Sequence, residues 1–340
     1  MIPSPLSVRR IGSTPVEVTT LGFGAAAVGN LYRAISDAEA RETVAAALSG
    51  SIGYIDTAPH YGQGLSERRL GAVLPPRITL STKVGRVLNP IPAPPAGQER
   101  HGFVDGDAFE PEFDYSYDGV MRSFADSCRR LRRERVDILL AHDLGVMTHG
   151  ADNSHHVKAF LDGGYRAMAE LKASGRVGAI GLGVNEWQVC EDVLAHADLD
   201  VVLLAGRYTL LEQGALDHFL PLCTRRGVSI VLGGPYNSGA LVDGGHYNYG
   251  AVPAEVAARI EALKAVCRAF DVPLAAAALQ FPLAHPRVAS VIPGQASPRE
   301  VEANLKLFST PVPAAMWSEL KSKKLLHPDA PVPAEKVAVA

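Results

Sequence analysis

The chain has 340 residues, 47% of them hydrophobic, enough to bury the core of one barrel of about 250 residues with insertions. Lys and Arg number 33 against 36 Asp and Glu, a net charge of −3 with both signs interspersed, so neither a nucleic-acid nor a membrane-surface partner is implied. Cys128, Cys190, Cys223 and Cys267 show no C-x-x-C spacing, Met1–Pro5 carries no apolar segment, and no stretch approaches ~18 uninterrupted apolar residues. A cytoplasmic protein with reduced thiols is the expectation.

Strand-like and helix-like stretches alternate along the chain. A hairpin is predicted from Val8–Ile11 and Val16–Thr19 around Gly12, followed by a strand over Thr20–Gly24. The run Ser36–Leu48 opens with a capping box of Ser36 and Glu39 and predicts a helix. Tyr54–Thr57, a helix from Ser66, Ile78–Lys83 and a helix near Tyr117–Arg133 come next. The basic cluster Arg129-Arg130-Leu131-Arg132-Arg133 ends that helix, where cations suit the macrodipole. The strand Val136–His142, a helix over Val157–Ala173, the strand Gly178–Val184 and a short helix from Trp187 follow. After them stand strand Val201–Leu204, helix Ala215–Arg226 and strand Val228–Leu232. Helices Ala254–Phe270 and Leu274–Ala284, split by Pro273, precede strand Val288–Ile292 and helix Arg299–Phe308.

The pattern is an α/β alternation of eight units whose Val-, Ile- and Leu-rich strands leave no solvent face, which predicts a (β/α)8 TIM barrel. An open doubly wound sheet is the rival. It usually carries G-x-G-x-x-G after its first strand, and Gly22-Phe23-Gly24 through Gly29 has the wrong interval for the third glycine. A single domain over residues 1–340 is expected, with its core at about 9–325. Two segments depart from the alternation. Val87–Asp118, after the third strand, is rich in Pro and aromatics and reads as a long unstructured loop on the active-site face. Residues 326–340 read as a loosely held Pro- and Ala-rich tail.

Four proton-handling residues end or follow the second, third and fourth strands: Asp56, Tyr61, Lys83 and His142. A phenol titrates near 10 and is a poor acid or base at neutral pH. An ammonium beside it is expected to lower that value, a carboxylate holds the ammonium, and an imidazole relays the proton or orients a carbonyl. Each residue alone has a structural reading as a cap, a loop aromatic, a snorkelling Lys or a core His. A charged Lys ending the apolar Ile78–Thr82 is hard to place without a partner. His155 and His156 are adjacent and cannot share a helix face, so no metal is expected.

Gly53-Tyr54-Ile55-Asp56-Thr57-Ala58-Pro59-His60-Tyr61-Gly62 resembles the signature of the aldo-keto reductases, in which the Asp and the Tyr are catalytic. Thr82-Lys83 resembles that family's catalytic Lys, and the segment ending at His142 its active-site His. The resemblance runs from about residue 9 to residue 325 and implies a nicotinamide cofactor. Asn185, after Gly181-Leu182-Gly183-Val184, would hold its carboxamide. Pro293, Gly294, Gln295 and Asn304 would form the adenine side, while Gly24, Ala25, Gly233, Gly234, Ser238 and Gly239 complete the cofactor contacts.

Two family features are absent: a Gln expected at Ala205, and the nicotinamide-stacking Tyr, whose position is Gly233. Tyr208 and Tyr236 are the candidates to replace that ring. Relatives that use NADP commonly carry Lys and Arg where this chain has Gly294 and Glu300, so NAD is expected, with NADP left open by Arg299.

Phe113–Asp118, Asn185-Glu186-Trp187 and Pro235–Gly239 are most similar to the sugar 1-dehydrogenase branch, which includes the L-fucose or D-threo-aldose, L-galactose and pyridoxal 4-dehydrogenases. The implied activity is oxidation of an aldose at C1 to the lactone. A pyridoxal dehydrogenase or general carbonyl reductase is the enzymatic alternative, and a cofactor-sensing regulatory subunit the non-enzymatic one. A small-molecule substrate and a monomer or weak homo-oligomer are expected.

Overall fold

The computed structural model describes residues 6–242, 245–247 and 250–333. Eight parallel strands stand in sequence order: Phe23–Gly24, Tyr54–Asp56, Thr79–Val84, Val136–His142, Val177–Val184, Val201–Ala205, Ser229–Gly233 and Val288–Ile292. Parallel bridges Leu21–Val291 and Gly24–Gly294 join the first strand to the last and close the barrel. No helix among the described residues is long and apolar enough to cross a membrane.

Side-chain alternation fixes what points inward. Ile138 and Leu140 pack with Tyr54, Ala179, Val201, Leu203, Val231 and Ala289 inside the barrel, whereas Leu139 and Ala141 face the helices. Counting on by twos from Tyr54, Ser81 and Leu140 brings Asp56, Lys83 and His142 to the top inward-facing layer. The predicted hairpin forms between Val8–Arg10 and Glu17–Thr19 and sends Ile11, Val16 and Val18 into the same interior cluster. It thereby plugs the end opposite the carboxyl ends of the strands.

The capping box forms as read: Ser36 Oγ accepts from the Glu39 N–H, and Glu39 accepts from the Ser36 N–H, opening helix Asp37–Ser49. Part of the basic cluster is structural. Arg130 pairs at 2.7 Å with the fully buried Glu67, and Arg133 donates to the carbonyls of Pro75 and Pro76.

Four expectations need correction. The stretch 87–118 is structured: Arg86–Pro90 pairs antiparallel with Phe109–Phe113, and Glu99–Arg100 with Phe103–Val104. Pro90 and Pro111 sit in the first ribbon, whose free edges tolerate a missing N–H, while Pro92, Pro94 and Pro95 lie in the irregular connection between the ribbons. The expected helix from Val157 begins at Asn153, and a π-turn over Phe160–Gly164 interrupts it. There a Cβ on Gly164 would lie 2.3 Å from the Tyr115 carbonyl, so the turn lets the helix press against that backbone.

A helix over Ala314–Ser322, absent from the sequence reading, buries Met316, Trp317 and Leu320. Pro313 and a short apolar pattern hid it. The segment after Lys324 is packed, not loose: Leu325, Leu326 and Ala330 are buried, and Gln213 accepts from the His327 N–H at 2.6 Å. Residues 334–340 of the expected tail, and Met1–Pro5, lie outside the described residues.

Candidate active site

The barrel brings Asp56, Tyr61, Lys83 and His142 together at its carboxyl end. Lys83 Nζ, only 1% exposed, donates to Asp56 Oδ2 at 2.7 Å, to the Thr57 carbonyl at 2.9 Å and to Tyr61 Oη at 3.1 Å. The Ser81 hydroxyl donates to the other Asp56 oxygen at 2.6 Å. The His142 ring stands edge-on to Tyr61, 5.9 Å between centroids. These contacts hold the phenol with one fixed donor beside its oxygen.

The electrostatics differ from the expectation of an acidified phenol. Burial raises the Tyr61 hydroxyl well above its ordinary value, Asp56 and Asp143 raise it further, and Arg86 opposes them. The Lys83 ammonium is shared with a carboxylate at 2.7 Å, so the pair is close to neutral and cannot offset the lost hydration. Burial also raises Asp56, against Lys83 and Ser81. The same desolvation, reinforced by Lys83 and Arg86, keeps His142 neutral by pushing its pKa well below the usual imidazole range. His60 is pushed down to about 2, first by burial and then by Arg86. At neutral pH the site presents a protonated phenol and neutral imidazoles, a proton donor set suited to a carbonyl oxygen.

A cavity of about 450 Å³ opens above these groups, lined by Tyr32, His60, His101, Phe103, Asp143 and Asn185 as well as Tyr61, Lys83 and His142. Phe103 and His101 come from the inserted hairpins, so that segment forms a wall of the cavity. Sequence reasoning passed over Arg86, Asp143 and Tyr32. Tyr32 and Asp143 adopt positive φ at 64° and 55°, a local conformation that no motif announces.

A groove of about 490 Å³ runs on from the cavity and shares Ala26, Leu31, Tyr32, Tyr61, Leu203 and Ala205 with it. Gly24, Gly233, Gly234, Ser238, Gly239, Gly294 and Glu300 line it. Arg299 and Asn304 line its extension beside the N-terminus of helix Pro298–Ser309. The length, the glycine walls and a helix N-terminus with an Arg fit an elongated phosphate-bearing cofactor.

Four expected contacts do not line that groove. The Ala25 N–H donates to the Asp56 carbonyl, extending the pairing of the first two strands, and the Pro293 carbonyl accepts from the Gly24 N–H where the barrel closes. The Gln295 amide is fully buried with neither polar atom partnered. Asn185 lines the cavity above Tyr61 and donates to Asp143 at 3.1 Å. Neither candidate takes the stacking position cleanly. Tyr208 is buried against Phe281 and His285, and Tyr236 donates to Asn304 at 2.6 Å. At Gly233 itself, Leu203 Cδ2 lies 3.3 Å from where a Cβ would sit, and Leu203 and Tyr236 both line the groove.

The aldo/keto reductase family profile matches residues 20–324. The chain belongs to that family. It is 44% identical over 333 residues to pyridoxal 4-dehydrogenase of Microbacterium luteolum, covering 94% of this chain and 97% of the relative. It is 40% identical over 322 residues to D-threo-aldose 1-dehydrogenase of a Pseudomonas species, covering 92% and 95%. The holo form of an aldo-keto reductase from Bacillus halodurans superposes with a TM-score of 0.73 at 26% identity, over 95% of this chain and 97% of that one. This member is therefore an oxidoreductase of nicotinamide cofactors and a small-molecule substrate, on a (β/α)8 barrel.

Proposed function

We propose that this aldo/keto reductase uses NAD to oxidise an aldose of the D-threo (L-fucose) type at C1, giving the lactone. When bound, the nicotinamide accepts the hydride leaving the substrate carbon. Tyr61 is the general base in this direction and the general acid in reverse. Lys83 orients the phenol and stabilises the phenolate, Asp56 anchors Lys83, and the neutral His142 orients the substrate oxygen. The observation carrying this reading is the buried Asp56–Lys83–Tyr61 chain, 2.7 and 3.1 Å long, opening into a polar cavity.

The second reading, pyridoxal oxidation, is supported by the 44% identical relative and by the aromatic walls Tyr32 and Phe103. The two readings share one chemistry. An aldose closes to a cyclic hemiacetal, and pyridoxal, whose aldehyde neighbours a hydroxymethyl group, closes likewise. Oxidation of either hemiacetal carbon yields a lactone. The intact proton-handling set speaks against a regulatory subunit without turnover.

NAD is favoured by Glu300, which lines the groove while its carboxylate accepts from the Ala296 N–H at 2.8 Å and lies 4.0 Å from Arg33. Fixed there, it repels a 2′-phosphate and offers an acceptor to a free ribose hydroxyl. Absorbance at 340 nm, with L-fucose and other aldoses, pyridoxal and simple aldehydes against both cofactors, tests these assignments. Lactone formation with a higher kcat/KM for NAD is expected. A higher kcat/KM for NADP sinks the cofactor assignment, and turnover of simple aldehydes alone sinks the substrate assignment.

A further inference from the structure

Arg86 and Asp143 form a second buried ion pair at the cavity, outside the four proton-handling residues. Arg86 Nη2 meets Asp143 Oδ2 at 2.6 Å, and Asn185 Nδ2 donates to Oδ1 at 3.1 Å. The Arg86 guanidinium also lies 4.2 Å over the Phe113 ring, so the inserted hairpin anchors it. Asp143 follows His142 directly, its Oδ2 is 3.5 Å from His142 Nε2, and its side chain is mostly buried yet lines the cavity. A left-handed backbone with φ of 55° turns the residue here, with its N–H donating to the Gly183 carbonyl at 2.8 Å. An ordinary surface salt bridge needs neither the strain nor the burial.

A carboxylate oxygen has two acceptor positions. One named donor on each Asp143 oxygen leaves acceptor capacity on a rigid carboxylate next to the imidazole that faces the reacting oxygen. Lys83 is the sole Lys or Arg among the described residues lining the cavity, and Asp56 neutralises it. Both ion pairs sum to zero charge, so the cavity offers an acceptor for neutral hydroxyls and no free cation for a carboxylate or phosphate.

We propose that Asp143, held by Arg86 and Asn185, is the specificity residue that accepts a substrate hydroxyl close to the reacting carbon, and that the site takes neutral hydroxylated substrates and refuses their anionic derivatives. The inference rests on the dehydrogenase reading above and names which part of the substrate the site reads. Arg86 is a positioning residue that acts through Asp143.

The test is a substrate-by-variant cycle in the holoenzyme. L-Fucose, its 2-deoxy and 3-deoxy analogues, pyridoxal and pyridoxal 5′-phosphate are compared in wild type and Asp143→Asn. Loss of a hydrogen bond to a charged acceptor corresponds to roughly 10- to 100-fold in kcat/KM. Wild type is expected to lose that factor on one deoxy sugar and to reject the phosphate ester. Asp143→Asn is expected to lose it on L-fucose while treating that sugar and the sensitive deoxy analogue nearly alike. NADH affinity, read by fluorescence quenching, stays unchanged.

If the single variant misfolds, the double replacement Arg86→Met with Asp143→Leu removes both charges without leaving one orphaned and carries the same readout. Deoxy ratios that remain at their wild-type values in the variants overturn the inference while leaving the dehydrogenase reading intact. So does efficient use of the phosphate ester by wild type. Turnover of simple aldehydes alone, with no sugar or pyridoxal consumed, sinks the reading and this inference together.

Discussion

Replacing Lys83 by Met removes the ammonium that lies 3.1 Å from the Tyr61 hydroxyl and 2.7 Å from Asp56. At that separation and an effective dielectric of about 20, ammonium and phenolate attract by about 5 kcal/mol, part of which the Asp56 carboxylate cancels. Oxidation needs the phenolate, and Tyr61 already sits well above its ordinary value because of burial and Asp56. Without Lys83 it rises further. The inflection of the oxidative pH–kcat profile then moves to higher pH, and kcat at pH 7 falls by at least ~10²-fold.

Asp56→Asn has the opposite sign. It deletes a charge that raises Tyr61 and leaves Lys83 facing the phenol alone, so the inflection moves to lower pH. Both variants break a buried pair and lose about 3–5 kcal/mol of stability, so the profiles are recorded per folded molecule after urea titration. Stopped-flow absorbance from about pH 6 upward with saturating substrate reads the shifts as displacement of the rising limb of log kcat against pH, which does not require the plateau to be reached. Movement of both inflections in one direction, or of neither, refutes the view that Asp56 and Lys83 act on Tyr61 through charge.

Three further outcomes follow from the same geometry. Tyr61→Phe keeps the ring beside Phe103 and His142 but removes the transferable proton. Turnover should fall by at least ~10²-fold with NADH affinity intact, and retention of a tenth of the activity would contradict the assigned role. His60 and His142 are both held neutral, His60 down to about 2. The unfolded chain takes up protons near pH 6.5 that the folded one refuses, so stability is full above that value. For His60 it is lost on acidification from about pH 6.5 toward pH 2 by about 1.4 kcal/mol per pH unit, and His142 contributes in the same direction. Urea midpoints at pH 7 and pH 5 read this, and His60→Asn should flatten the slope; equal midpoints in wild type would disprove it. Phe103→Ala opens the cavity wall beneath the inserted hairpin, so KM values should change unequally across aldoses and pyridoxal while NADH affinity holds. A uniform change would make Phe103 a packing residue alone.

What was legible follows from what the sequence encodes locally. The alternation of apolar strands with helices, and the strand-end positions of Asp56, Lys83 and His142, are encoded in short windows, and the barrel delivers both. Capping of Asp37–Ser49 was equally local. The segment 87–118 was misread because prolines usually signal loops, and only pairing across 23 positions, as between Asn89 and Glu112, reveals ribbons. Helix Ala314–Ser322 depends on distant partners for its buried face, which no window of that length contains.

The site divides in the same way. The four proton-handling residues are strand-end residues within short motifs, so spacing finds them. The Arg86–Asp143 pair joins positions 57 residues apart through a left-handed turn and a hairpin stacked on the guanidinium. Its partners are unremarkable in isolation: an Arg after a glycine and an Asp after a His. The direction of the Tyr61 shift was hidden for a related reason. Motif logic counts the nearest cation, whereas the phenol responds to the sum of burial, a neutralised ammonium and two carboxylates. Chemistry carried by one strand end is legible in a sequence; chemistry set by the balance of several elements around a cavity becomes so only when the fold assembles them.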